Sequence, residues 1–455
     1  MQDARCRMQD AGYRMLINKE KINSYLQNSG ISYLLPIIIG LICGLEAILV
    51  RTIIPWTFGR VMGLSAINEY LTVPIILAFL LGGAYLTGLL GAMMKETSGV
   101  GLDVTIENYH LKAGIMPTKF APLKFFSTLF TLGFGGSGGL VGPTAAIGQG
   151  TASYFSRLFK LPQDKSRILA LCGVAGCVSG LLHTPFGAAV FALELCYMSG
   201  ILYEELIPVL LSSISAYIMS ARIVRIFPFG HLLQQPHLFR TVVYDTPFPW
   251  SLDYLAYCVI AALVTTLIGI LFIKTFLALQ NFNKAKINIK YGSVIGAGFV
   301  GLIALIFFRS RLPDVLGQPG NLVEQCATEW FSFSKALILL IGRWMTTFLT
   351  VGFGGSGGLF SPTVLMGALS GTIAARILGI TNVGVLVTSG ISAGLVCVIN
   401  VPMAAVIIVV EVFGVSFIIP AAIGSAIAFL LAKNLVIYPH IQQYQESTGS
   451  QHYTD

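Results

Sequence analysis

The sequence predicts an all-α protein that crosses a membrane several times and is built from two homologous halves. Of its 455 residues, 55% are hydrophobic and only 11% are charged, whereas soluble domains carry about 25% charged residues. The mean hydropathy is +0.79. Several charge-free apolar runs exceed the roughly 20 residues that a helix needs to cross a bilayer. An outer-membrane barrel is excluded, because its strands would alternate polar and apolar residues.

The N-terminal segment, residues 1–29, is polar and basic. Five cations precede the first apolar run, which begins at Ile31: Arg5, Arg7, Arg14, Lys19 and Lys21. Because positive charge collects on the cytoplasmic side of membrane proteins, we expect a cytoplasmic N-terminus. We also expect a location in the plasma (inner) membrane. The net charge of +8 is explained by this placement, and we expect no nucleic-acid partner.

An internal duplication organises the chain. The octapeptide Gly133–Leu140 recurs letter for letter as Gly352–Leu359, a shift of 219 residues, and prolines follow at the same shift, Pro143 and Pro362. A cation also recurs at this shift, Lys124 in the first half and Arg343 in the second. Such identity over a fixed period is the signature of structural repeats.

The domain boundaries follow from this duplication. We expect a first membrane repeat at 30–225 and a second at 251–440. The segment 226–250 is rich in proline, which predicts a connecting loop. The short polar tail, 441–455, leaves no room for a soluble C-terminal domain.

The duplicated glycines predict an anion site. They lie inside two charge-free stretches, Phe125–Ser156 and Trp344–Ala375, each longer than one crossing needs. Each stretch therefore predicts a helix, a glycine loop and a second helix that begins near Pro143 or Pro362. The start of a helix presents unpaired N–H groups and a positive dipole, which bind anions. The plainer alternative is that the glycines serve only tight helix packing.

These residues resemble the CLC family of chloride channels and chloride/proton antiporters over about Ile31–Tyr438. Thr97–Gly101 stands in place of the family's Gly-Ser-Gly-Ile-Pro motif, Gly139–Pro143 in place of Gly-Lys/Arg-Glu-Gly-Pro, and Gly358–Pro362 matches Gly-x-Phe-x-Pro. The resemblance implies a CLC-type fold of two inverted halves, with discontinuous helices that meet at the midplane. It also implies a homodimer with a separate pathway in each subunit, here without CBS domains.

The resemblance assigns the binding groups. A central anion would be held by hydroxyls and backbone amides of four residues, Ser98, Leu359, Phe360 and Tyr438. An outer anion would be held by the amides of three residues, Leu140, Val141 and Gly142. Neutral donors suit a weakly held anion. The expected ligands are chloride and similar anions, and Ser98 favours chloride over nitrate.

Two departures from the family pattern predict the mechanism. Antiporters of the family carry a gating glutamate at the position of Val141 and an internal proton glutamate at the position of Leu195. Neither valine nor leucine ionises, so the resemblance implies passive chloride conduction without proton exchange. Glu194 and its duplicate Glu411 are interpreted as structural carboxylates, although intramembrane carboxylates are often functional.

Several alternatives remain at this stage. A chloride/proton antiporter could use Glu46 or Glu194, and a fluoride exporter is disfavoured because that branch departs at the serine and tyrosine positions. An intramembrane serine protease could use Ser137 with His183 as base, but Ser356 duplicates the serine while nothing duplicates the histidine. We expect no enzyme activity, cofactor or metal, since the eight cysteines lack metal-site spacing. Lys124 and Arg343 would either raise the positive potential near the pathway or anchor the chain at the membrane interface.

Overall fold

The computed structural model describes most of the chain, and within it the protein is almost wholly α-helical. The described ranges are 2–65, 72–196, 203–222, 251–286, 288–307, 314–318, 322–328, 331–380, 382–435 and 437–438. The predicted connecting loop 226–250 and the predicted tail 441–455 lie outside them. The one β-type pairing in the described ranges is an isolated bridge between Gly139 and Gly358.

Eight helices are described in the first half: α1 (Gln2–Ser65), α2 (Thr72–Met93), α3 (Leu102–Leu111), α4 (Phe120–Leu132), α5 (Val141–Leu158), α6 (Gln163–Leu182), α7 (Pro185–Cys196) and α8 (Tyr203–Ala221). Residues 2–29, which the sequence separates by composition, continue without interruption into the first apolar run within α1.

Eight helices are also described in the second half: α9 (Leu252–Lys286), α10 (Ile289–Phe307), α11 (Leu322–Thr328), α12 (Phe333–Gly352), α13 (Phe360–Leu378), α14 (Val383–Ile399), α15 (Pro402–Phe413) and α16 (Ile418–Ala432). Across both halves, eight described helices are long and apolar enough to span a bilayer. This confirms the predicted polytopic membrane protein.

The predicted interruption of both charge-free stretches is confirmed. In the first half α4 ends at Leu132 and α5 begins at Val141; in the second half α12 ends at Gly352 and α13 begins at Phe360. The glycine loops lie between these helices. Pro143 and Pro362 occupy the third residue of α5 and α13, in the first turn, where a missing N–H costs no helical hydrogen bond.

The two halves pack in the same way. α5 packs on α6, and α13 packs on α14. Both contacts use facing glycines, because a Cβ added at Gly148 would lie 2.2 Å from the Gly173 carbonyl oxygen and one added at Gly367 would lie 2.4 Å from that of Gly390. Such small residues let helix backbones approach closely in membranes. Glycine packing is therefore real in this fold, and it occurs along the helices as well as in the loops.

A pseudo-two-fold axis relates the halves. The N–H of Gly139 donates to the carbonyl of Gly358, and the N–H of Gly358 donates to that of Gly139, both at 2.7 Å. These residues differ by the repeat shift of 219, so each pairs with its own duplicate. Reciprocal pairing of this kind is what a two-fold relation produces. The two glycine loops therefore meet at the centre of the molecule, as inverted membrane repeats do.

Candidate functional site

Three segments that the sequence assigns to the anion site converge on the glycine loops. Gly142, at the start of α5, lies between the Ser98 loop and the second glycine loop. A Cβ added at Gly142 would lie 2.5 Å from the Val100 carbonyl oxygen and 3.2 Å from the Cα of Gly358. The structure thus brings the loop after Ser98, the start of α5 and the segment that leads into α13 together.

The starts of α5 and α13 are buried and uncapped. Leu140, Val141, Leu359 and Phe360 have no exposed surface, and no side chain caps either helix. The first helical hydrogen bonds come from the N–H groups of Thr144 and Thr363, so the preceding N–H groups have no partner within their own helix. Helix starts with N–H groups that are unpaired within the helix are electropositive, which is the property that the predicted anion site requires.

Tyr438 contributes a buried hydroxyl without a protein partner. Its side chain is only 4% exposed, and its Oη has no hydrogen bond to any described residue. A buried unpaired hydroxyl is costly, and a bound anion would satisfy it.

Lys124 holds the loop that carries Ser98. Its side chain is fully buried, and Nζ donates to the carbonyls of Thr97 and Gly99, both at 3.1 Å. These two carbonyls flank Ser98, which is half-buried. The Ser127 hydroxyl also donates to the Thr97 carbonyl, at 3.2 Å. A fully buried side chain is incompatible with one of the two predicted roles of Lys124, that of an interfacial anchor. The Lys124 ammonium instead lies against the loop that carries Ser98.

Arg343 does the same for the equivalent loop in the second half. Its guanidinium donates to the carbonyls of Asp314, Gly317 and Gln318 at 2.7–2.8 Å, and the side chain is only 4% exposed. Arg343 is therefore also no interfacial anchor. The duplicated cations are loop-positioning residues on either side of the pseudo-two-fold axis.

The serines of the glycine loops bind across the axis. The Ser137 hydroxyl pairs with Thr347 and the Ser356 hydroxyl pairs with Thr128, both at 3.0 Å. These two pairs are equivalent under the shift of 219. His183 instead pairs with Arg51, Nη1 to Nε2 at 2.9 Å. Ser137 is thus bonded to a threonine and His183 to an arginine. The protease alternative requires Ser137 and His183 to be bonded to each other, so this arrangement argues against it.

Both positions that the resemblance aligns with the proton glutamates of antiporters are apolar and buried. Val141 is the first residue of α5 and has no exposed surface. Leu195 lies near the end of α7 and is 2% exposed. Neither side chain offers a group that could take up a proton.

Glu194 and Glu411 cap helices of the opposite half. The Glu194 carboxylate accepts hydrogen bonds from the N–H groups of Met403 and Ala404 at 2.9 and 2.8 Å, at the start of α15. The Glu411 carboxylate accepts from Phe186 and Gly187 at 3.0 and 2.8 Å, at the start of α7. Carboxylates at helix starts are stabilising. This arrangement fits the structural role expected for both glutamates.

A cluster that the sequence does not reveal surrounds Glu46. Its carboxylate accepts from the Thr151 hydroxyl at 2.5 Å and from the Cys177 thiol at 3.6 Å, and Cys43 completes the group. Cys43 and Cys177 are 134 residues apart, so no local spacing brings them together. The only sequence signal is a carboxylate inside the first apolar run.

Comparison with known proteins gives one family. Residues 82–433 match the model of the voltage gated chloride channel family. The chain is 27% identical over 408 residues to an uncharacterized protein of Methanocaldococcus jannaschii, and the alignment covers 89% of this chain and 94% of that protein. It is also 26% identical over 408 residues to the H⁺/Cl⁻ exchange transporter ClcA of Vibrio cholerae, and that alignment covers 84% of this chain and 82% of ClcA.

A solved structure shares the fold. A slow cyanobacterial Cl⁻/H⁺ antiporter superposes with a TM-score of 0.76 at 18% identity, over 91% of this chain and 98% of that one. This likeness confirms the predicted CLC-type fold, with its helices interrupted at the centre.

Proposed function

The chain belongs to the voltage gated chloride channel (CLC) family, whose members are transporters or channels, and we propose that it conducts chloride passively, without proton coupling. One observation carries the proposal: a buried, uncapped helix start presents Val141, a side chain that cannot ionise, where a gate would otherwise carry a carboxylate. A valine neither competes with chloride as a tethered anion nor carries a proton. The second proton position, Leu195, is also apolar.

The proposed site binds chloride with dipoles and hydroxyls. Amides of Leu359 and Phe360 and the hydroxyls of Ser98 and Tyr438 form the central site, and the amides of Leu140–Gly142 form the outer one. Because these donors carry no full charge, the anion is held weakly enough to leave, which conduction requires. Lys124 and Arg343 add long-range positive potential while their donors stay engaged with loop carbonyls.

The organisation of the protein completes the proposal. We place the N-terminal segment 1–29 in the cytoplasm and the repeats at 30–225 and 251–440, in a homodimer with one pathway in each subunit. The membrane is the plasma (inner) membrane, with anions and lipid as the partners. Chloride is the preferred anion, and no catalytic step is part of the mechanism.

The test is chloride efflux from proteoliposomes in the presence of valinomycin, with a pH electrode in the bath. Chloride release without proton movement supports uncoupled conduction. Proton movement in fixed ratio with chloride would overturn it. Vesicles that hold lipid alone provide the background leak.

A proton-coupled antiporter is the second candidate, because the Vibrio cholerae relative is named an H⁺/Cl⁻ exchange transporter. Of the two carboxylates that the sequence analysis names for this role, Glu194 already accepts backbone hydrogen bonds at both oxygens. Glu46 is half-buried and bonded only to side chains. If protons move with chloride, Glu46→Gln is expected to stop the proton flux, whereas Glu194→Gln serves as the comparison.

A further inference from the structure

We propose that Cys43, Glu46 and Cys177 form a binding site for a soft or borderline divalent cation of the Zn²⁺ and Cd²⁺ type. The two thiol sulfurs and a carboxylate oxygen lie within 4.8 Å of one another. It is the one such group of potential ligands within the ranges that the structure describes. The three ligands are not among the residues assigned above to chloride binding, and the proposal does not depend on chloride conduction.

The distances suit a metal ion. Zinc binds cysteine sulfur at about 2.3 Å, so two sulfurs in a tetrahedral site lie roughly 3.8 Å apart. Ligand atoms within 4.8 Å of one another therefore reach bonding distance through small rotations of side chains. Thiolates select soft and borderline cations over Mg²⁺ and Ca²⁺. Three protein ligands leave the fourth position open to water.

The surrounding structure orients the ligands. Thr151 of α5 donates to one oxygen of Glu46 at 2.5 Å, as outer-shell hydrogen bonds do at metal sites. Gly176 permits close approach, because a Cβ there would lie 3.0 Å from the Cβ of Cys43. Both thiols are fully buried, whereas Glu46 is half-buried. The carboxylate is thus the one ligand of the three with exposed surface.

Binding is a proton exchange. The cation replaces the two thiol protons, which leave to solvent, and it forms bonds to both sulfurs and to the Glu46 carboxylate; no electron is transferred. The resulting complex joins α1 to α6, with α5 bonded to it through Thr151. In this structure the Cys177 thiol makes long, weak hydrogen bonds to the Glu46 carboxylate at 3.6 Å and to the Cys43 carbonyl at 3.7 Å.

The test is titration of the reduced, purified protein with Cd²⁺ alone, followed by the ultraviolet charge-transfer band of the cadmium–thiolate bond. We expect one Cd²⁺ for each chain. Cys43→Ala and Cys177→Ala should each weaken binding by at least about tenfold, and Glu46→Gln should weaken it while the band for each bound Cd²⁺ is kept. Cys172→Ala is the matched control, because Cys172 is a buried thiol of the same helix, α6, outside the cluster.

The outcomes separate clearly. Binding unchanged by Cys43→Ala and Cys177→Ala, or lost equally in Cys172→Ala, would overturn the proposal. A Cys43–Cys177 disulfide that persists in the purified chain, with no uptake of Cd²⁺ after reduction, would also overturn it. Thermal melting of the unmodified protein avoids any folding defect of the variants: bound Cd²⁺ should raise its melting temperature, and no rise counts against the site.

Discussion

Removing the hydroxyl of Tyr438 tests the anion site most directly. In most buried positions, Tyr→Phe costs stability because a hydrogen bond is lost. Here the Oη has no hydrogen-bond partner among the residues that the structure describes, in a side chain that is only 4% exposed. The variant Tyr438→Phe should therefore fold at least as stably as the parent in the absence of chloride, since it removes a desolvated polar group that costs about 1–3 kcal/mol when unpaired.

The expected magnitude follows from the charge of the ligand. A hydrogen bond to a charged group contributes about 1.5–3 kcal/mol, so the variant should bind chloride roughly 10- to 150-fold more weakly. The assay is isothermal titration of chloride into protein purified in gluconate. Melting temperatures with and without chloride give a second measure, because chloride should stabilise the parent more than the variant.

Tyr154→Phe is the matched control. It removes the same atom from a side chain that is 50% exposed and that lies on α5, beyond the helix start. Chloride affinity should stay unchanged in this control. If Tyr438→Phe also leaves chloride affinity unchanged, or if it lowers stability in chloride-free buffer by about 1 kcal/mol, the hydroxyl is a structural donor and the assignment of the central site is wrong.

Three further predictions concern the gate, the loop and the caps. Val141→Glu should place a carboxylate in the outer site. Chloride flux should then be blocked at pH 8 and restored towards pH 4, since glutamate ordinarily titrates at about 4.3. Val141→Gln is the pH-independent control, and a flat pH profile of chloride flux for the glutamate variant contradicts the alignment. Lys124→Met should leave the Thr97 and Gly99 carbonyls without their ammonium donor. Thermal melting should then show a loss of stability of about 2–4 kcal/mol, and titration should show weaker chloride binding. Unchanged chloride affinity would mean that the ammonium does not position Ser98. Glu194→Gln and Glu411→Gln should destabilise the protein by similar amounts, about 1–2 kcal/mol each, and clearly unequal losses in denaturation would argue against the equivalent capping roles.

Features coded by neighbouring residues were predictable from the sequence. The glycine octapeptide followed by a proline predicts a loop and a helix start, and α5 and α13 begin as expected, at Val141 and Phe360. The apolar runs likewise predict the spans. Both follow from rules that act within one turn or one helix, so the chain need not fold before they can be recognised.

Contacts between distant residues could not be predicted in the same way. The sequence offers two possible roles for Lys124, and only the fold shows that its ammonium is buried against the carbonyls beside Ser98. The Cys43–Cys177 approach depends on how α1 crosses α6, which a glycine at 176 permits. The angle at which two helices cross is set by side-chain packing along both of them. The residue pattern along one helix does not specify that packing.

The proposed site is asymmetric although the scaffold is duplicated. The shift of 219 places Gly317 opposite Ser98, in the loop that Arg343 holds just as Lys124 holds the first. A side chain at Gly317 would require the ring of Phe58 to move, because a Cβ there would lie 2.8 Å from Cζ of Phe58. The second loop thus presents no hydroxyl, and an aromatic ring occupies the place where one would point. Duplication supplies two helix starts, whereas of the two loops only the first carries a hydroxyl, that of Ser98, for the proposed central site.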